Sequence, residues 1–190
     1  MLEARDRAVA PTGSLSIDSR RSRLAFDVRY LGVLRVQGEF RDVRGDIFGM
    51  DARACTARSV TAVVPVTSLA TGIRLRDWHL SSAGYLAAAE YPEATFQSDR
   101  IVPDGPGRAR VIGTLAVRGI AREIVLQVND CRFDGNDRRM RARVRVSLSR
   151  ADFGVGWTKR APWWDVRRYL INDMVHLVID VEAVERSEES

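Results

Sequence analysis

Lysine is almost missing from this chain of 190 residues: Lys159 is the only one, so nearly all of its 30 basic residues are arginines. Genomic composition produces such lopsided usage, and it carries little functional weight. Histidine is nearly as scarce. His79 and His176 stand far apart, with no H-x-x-x-H pair and no carboxylate at metal-ligand spacing, so no metal centre is expected. Cys55 and Cys131 lie in turn-like surroundings without C-x-x-C spacing and read as ordinary reduced thiols, with a disulfide or a metal site as the lesser alternative. No apolar run is long enough to span a membrane. The N-terminal M-L-E-A-R-D-R-A-V-A-P-T-G carries charges where a secretory leader needs an apolar core of about 7–15 residues, so a soluble cytoplasmic protein is expected. Serines never occur as G-x-S-x-G, and Asp152-Phe153-Gly154 stands without the glycine-rich loop or H-R-D motif of a kinase. The inward positions hold no carboxylate pair to share acid and base roles. These absences leave no catalytic residue and no cofactor to name, and a non-enzymatic protein is expected.

What the chain does have is alternation. With 45% hydrophobic residues it is long enough for one domain with a real core, placed at residues 14–185 between frayed termini at 1–13 and 186–190. Period-two patterning puts Leu24, Phe26, Val28 and Tyr30 on one face of a strand, then Val36 and Phe40 beyond Gly32, with Gly38 read as a bulge or bend. A short strand follows at Asp46–Phe48. Next come Val64 and Val66, near Pro65, and Phe96 in a strand broken between Ser98 and Arg100. Leu115 and Val117 precede the Arg118-Gly119 turn and Leu126 follows it. Met140, Val144 and Val146 face inward opposite an arginine row, and Leu177 and Ile179 close the series on a strand at Val175–Val184. Eight or nine such strands with short connections predict a closed antiparallel up-and-down barrel, because closure removes unpaired edges. Its interior is either a filled core or an apolar tunnel, and about eight strands leave room for one small ligand.

One segment is helical. From about Arg76, the positions Trp78, Leu80, Leu86 and Ala89 recur at helical spacing, Ala87-Ala88-Ala89 favours helix and Pro92 stops it, which predicts a helix laying its apolar face on the sheet or across a barrel end.

The net charge of +5 is interspersed along the chain. Its sharpest feature is the row Arg139, Arg141, Arg143 and Arg145, which could grip nucleic-acid phosphates. If the last two long strands pair, His176, Asp180 and Glu182 come alongside and offset it, and no aromatic residue interleaves to stack bases, so a solvated face is favoured over nucleic-acid binding. Trp157, Trp163 and Trp164 cluster in one loop of about twenty residues and suggest a lid.

Taken together, Ser68-Leu69-Ala70-Thr71-Gly72, Arg76-Asp77-Trp78-His79-Leu80 and Tyr91-Pro92-Glu93-Ala94-Thr95-Phe96 resemble the S-x-x-T-G, R-D-x-H-L and Y-P-x-x-x-F sequence of the YceI-like, polyisoprenoid-binding, lipocalin-like proteins. Ser22…Phe26, Gly38-Glu39-Phe40, Gly113-Thr114-Leu115 with Gly119, and Asp152-Phe153-Gly154 support the likeness, which runs from about Ser16 to Val184. It departs from many members at Arg21, where they carry histidine, and at Tyr30, where a histidine ends their second strand. The resemblance implies an all-β fold, an extended eight-stranded antiparallel barrel with one α-helix beside or across its end. It also implies an apolar pore for a long isoprenoid or similar lipid. The inward residues named above would be the tail contacts, with Arg74, Arg76 and the three loop tryptophans as candidate mouth or lid residues. A homodimer stays an open alternative.

Overall fold

The period-two segments fold into eleven strands in a computed structural model that describes residues 13–30, 34–51, 54, 56–136, 138–156 and 171–186. They are β1 (Leu15–Ile17), β2 (Arg23–Tyr30), β3 (Leu34–Phe40), β4 (Arg44–Phe48), β5 (Ser59–Pro65), β6 (Leu69–Ala70), β7 (Glu93–Pro103), β8 (Ala109–Val117), β9 (Ile120–Asp134), β10 (Arg139–Ser149) and β11 (Ile171–Glu185). All pairings are antiparallel. The strand order β1-β4-β5-β7-β8-β9-β10-β11-β2-β3-β6 is closed by β1 pairing with β11. Because β1 and β2 lie end to end along β11, β4 and β3 along them, and β5 and β6 along those, three broken staves and five unbroken strands make an eight-stave barrel. The predicted strands all appear, most of them longer than alternation alone indicated.

Where β1 gives way to β2, a turn interrupts the ladder and Ser22 repairs it. The buried Ser22 hydroxyl donates to the Glu182 carbonyl at 3.1 Å and accepts from the Glu182 N–H at 3.0 Å, while Asp18 N–H also donates to that carbonyl. A second serine does the same on the far wall: Ser98 Oγ accepts the Val60 N–H at 2.8 Å beside the register shift between Ser98 and Arg100. These hydroxyls stand in for ladder bonds that the breaks remove.

The shifts also keep charge out of the interior. A one-residue slip moves every later side chain to the other face. After Phe96 and Ser98, strict alternation would turn Arg100 inward, and the shift brings in Ile101 instead. On β9 the shift opposite Arg141 and Arg143 contains Asp130 at φ 53°, so Cys131 and Phe133, not Asp130, join the core. Cys131 is therefore a buried strand residue and not the turn residue its neighbours suggested, whereas Cys55 lies outside the described residues.

Two further expectations are corrected. Gly38 sits in an unbroken β2–β3 ladder, so it marks no bulge; its role is steric, as described below. The helix α1 spans only Arg74–Ser81. Ser82 ends it: its backbone is extended, and its hydroxyl and N–H both donate to the His79 carbonyl. The Ala87–Ala89 stretch forms turns, with Ala87 at φ 50°, because a serine and glycine stop precedes it and outweighs alanine propensity. No residue of α1 is buried, and Trp78 faces solvent. Gly13 accepts a hydrogen bond from Met50 N–H, and Arg186 N–H donates to the Ser14 carbonyl.

The arginine row pairs as its register requires. Arg139 and Arg141 meet Glu182, and Arg143 donates to Asp180 at 2.7 Å, a hydrogen bond that raises the Arg143 pKa above its ordinary value. Ser147 lies opposite His176. Arg145 faces Val178 and Gln127.

Replacing Ser22 with alanine leaves the Glu182 N–H without its acceptor. The expected loss is about 1–3 kcal/mol of unfolding free energy in urea titration. A loss under about 0.5 kcal/mol would show that the stave break does not depend on this hydroxyl.

Candidate ligand cavity

The barrel is filled at one end and hollow at the other. Leu15, Ile17, Val43, Ile47, Met50, Cys131, Met140 and Ala183 pack a buried cluster at the end of the β9–β10 hairpin. Six of them, Ile17, Val43, Ile47, Met50, Cys131 and Met140, also form the floor of a cavity of about 640 Å³ that the other inward side chains enclose. The filled core and the apolar tunnel thus occur in one barrel. The open end gathers the β2–β3 and β8–β9 connections, the segment between β5 and β7 that contains α1, and the segment that follows β10, as the antiparallel order requires.

The expected inward residues line this space: Leu24, Phe26, Val28, Val36, Phe40, Val64, Val66, Phe96, Leu115, Val117, Leu126, Met140, Val144, Val146, Leu177 and Ile179. Tyr30 ends β2 at the open end, and its side chain lies outside the described residues, as do Trp157, Trp163 and Trp164. Arg76 reaches the wall and Arg74 does not. Two helical residues turn about 200°, so the two arginines point to opposite sides of α1.

Two glycines set the width. A Cβ on Gly38 would lie 2.4 Å from the Phe26 ring, and one on Gly113 would lie 2.7 Å from the Phe96 ring and 2.3 Å from the Gln97 carbonyl oxygen. The tip of each phenylalanine ring occupies the space of its neighbour's missing side chain. Phe26 also tilts against Phe40 with ring centroids 5.7 Å apart.

Polar groups of the wall concentrate at the mouth. Thr71 ties α1 to the end of β6: its N–H donates to Asp77 Oδ1 at 2.8 Å, its hydroxyl also meets Asp77, and Arg76 donates to Thr71 Oγ1 at 2.8 Å and to the Thr71 carbonyl at 2.7 Å. The His79 ring rests on Tyr85 at 4.7 Å between centroids. Across the mouth the buried Arg150 donates to the carbonyls of Val155 at 2.9 Å and Asn172 at 3.2 Å and pairs with Asp173. Sequence reasoning missed Arg150, because no pattern marks a charged residue that turns inward to hold loop carbonyls. It also missed Tyr85, Leu86, Phe153 and Val155, which reach the wall from irregular segments; Leu148 and Val175 were legible by extending the period.

The pattern of a YceI-like domain matches residues 15–183 of this chain. The chain belongs to the YceI-like family. It is 34% identical over 102 residues to a UPF0312 protein of Vibrio parahaemolyticus, a match covering 54% of this chain and 53% of that one. A UPF0312 protein of Yersinia pestis is 30% identical over 120 residues, 63% of this chain and 62% of that one. The matched stretch thus spans little more than half the length of these relatives. Among solved structures, BcnA of Burkholderia cenocepacia has a TM-score of 0.76 at 21% identity, covering 88% of this chain and 99% of that one. A polyisoprenoid binding domain from Saccharophagus degradans has a TM-score of 0.66 at 19% identity, covering 90% and 98%. At these identities the structures establish a shared barrel and nothing finer.

In this YceI-like barrel the motif residues acquire physical roles: Thr71, Arg76 and Asp77 lock the helix over the mouth, and Gly38 and Gly113 make space for rings. The glycines give a ranked prediction. Gly38→Ala meets only side-chain atoms, the Phe26 ring and the Thr71 methyl, which can shift, so a loss of about 1–3 kcal/mol is expected. Gly113→Ala meets a backbone carbonyl that cannot, so its loss should be larger, as measured by denaturant unfolding. Equal costs would contradict this account of the two sites.

Proposed function

We propose that this YceI-like protein binds the hydrocarbon chain of a long isoprenoid or similar amphiphilic lipid within the barrel, for storage or transfer, without altering it chemically. The observation that carries this reading is the wall. Of its lining side chains only Thr56, Thr95, Tyr85, Arg76, His79 and Arg150 bring polar atoms, and four of these six belong to the helix or loop segments of the mouth. Water finds few partners in such a space. A five-carbon prenyl unit moved into it gains roughly 4 kcal/mol gross, at about 0.8 kcal/mol per methylene, before association and ordering costs. The volume falls within the roughly 300–1,000 Å³ typical of small-molecule sites. The Saccharophagus degradans neighbour, described as a polyisoprenoid binding domain, supports the same chain chemistry.

A head group would sit among Arg76, His79 and Tyr85. A partly exposed arginine contact contributes about 0–1 kcal/mol, so the tail sets affinity and the head sets orientation. A carrier role is also supported by the state of the arginines: Arg150 and Arg76 are committed to backbone carbonyls, Asp173 and Thr71, an arrangement that positions loops rather than reacting atoms. The row from Arg139 to Arg143 is ion-paired, which favours this reading over phosphate gripping.

Mass spectrometry of an organic extract of the purified protein should identify a long-chain lipid in stoichiometric amount. Val144→Glu places a carboxylate in the apolar wall, at a cost of several kcal/mol unless it stays protonated, and Val146→Trp, nearer the mouth, fills the lumen without charge. Both should lose the lipid while keeping a strand-dominated circular dichroism spectrum. Folded variants that retain the full complement would place the ligand elsewhere.

A further inference from the structure

The exposed apolar residues of this barrel are not scattered. Among the described residues seven large hydrophobic side chains are exposed, and five of them, Leu34, Ile73, Leu75, Trp78 and Met174, lie at the open end; Phe48 and Val125 lie elsewhere. Leu75 and Trp78 are 74% and 71% exposed and share one face of α1 at i,i+3 spacing. The other face of the same short helix carries Arg76 and Leu80 into the cavity wall. A single helix thus faces the lumen on one side and offers a tryptophan and a leucine to the outside on the other. Single exposed hydrophobes need no explanation, but a cluster gathered at the open end of an apolar cavity does.

We infer that the open end docks on an anionic lipid bilayer, with Leu75 and Trp78 of α1 inserted at the headgroup level, so that a lipid passes between bilayer and cavity without crossing water. Tryptophan with aliphatic neighbours beside arginine is the composition that settles at a membrane interface, where one end of the ring is apolar and the other wet. The charges lean the same way. Arg74 on α1 and Arg29 beside the β2–β3 connection are exposed and have no ion pair among the described residues, Asp173 is paired with Arg150, and the chain carries +5 overall, against the exposed Glu90 and Asp152 on the mouth segments. A second copy fits less well, because a two-fold contact over this face would bury the unpaired arginines of both copies in one interface. No helix of the described residues is long and apolar enough to cross a membrane, so insertion would be interfacial. Docking itself rests on these surface residues; only its use in lipid passage rests on the function proposed above.

Flotation of the full chain with vesicles of phosphatidylcholine alone, and with added phosphatidylglycerol, tests this. Wild type should float with the anionic vesicles, and Leu75→Glu with Trp78→Glu should lower its partition coefficient by roughly tenfold or more. Val125→Glu, an equally simple change on the barrel side, should leave partition unaltered. The double variant should still take up a fluorescent polyprenyl probe from detergent micelles like wild type, while its transfer of that probe from vesicles slows. Wild type that ignores both vesicles, or a double variant that floats like wild type, overturns the inference and leaves the tunnel reading intact. A mass in light scattering that falls from dimer to monomer in the double variant also overturns it, assigning the face to a second copy. Failure of probe uptake by wild type defeats the tunnel reading alone.

Discussion

Closure through β11 is the constraint on which the rest of the structure depends. This strand pairs along one edge with β10 from Met174 to Val184 and along the other with β2 and then β1, so it alone joins the last stave to the first. If the seam opened, the sheet would present two long unpaired edges and the interior would lose its enclosure. Ser22 bridging both backbone groups of Glu182 lets the seam survive the break between β1 and β2, and the charges outside it (Arg21, Arg139 and Arg141 on Glu182, Arg143 on Asp180) lie over the same ladder. Arg143–Asp180 is exposed and weak, Arg139–Glu182 is partly buried, and the backbone ladder and the buried hydroxyl are the stronger determinants.

Once closed, the barrel must decide what fills it. At one end Met50, Met140, Ile47 and Leu15 fill the lumen. At the other end valines and rings seated over glycines leave it hollow. Glycine at 38 and 113 gives the ring tips of two phenylalanines their space. The same end carries the polar lock of Thr71, Arg76 and Asp77 and the buried Arg150, so the opening is bounded by hydrogen-bonded loops and not by frayed chain. A wall with this polarity gradient suits an amphiphile, tail inward and head at the rim.

Much of this was legible because a strand reports its own faces. The inward assignments of Phe26, Val28, Val144, Val146, Leu177 and Ile179 need only a period of two, and all six line the cavity. Cross-strand pairing of the arginine row with Asp180 and Glu182 followed from the same register. The helix was less legible, since alanine propensity is a weak preference and Ser82 overrode it. Trp78 was assigned to an apolar face because its residue type suggests burial, yet burial depends on what a helix packs against, and α1 packs little.

The sequence by itself determined the strand series, the two faces of each strand, the isolated helix and the family, all of which depend on neighbours within a few residues or on motif spacing. The tertiary structure alone decided the rest. Whether the lumen is hollow depends on volumes summed across eight staves. Cys131 faces inward because a bulge at Asp130 changes parity, and Arg150 turns inward because carbonyls from residues distant in the chain converge on it. The gathering of Leu34, Leu75, Trp78 and Met174 around one opening likewise exists only after closure, because residues from three separate segments meet nowhere in the linear chain.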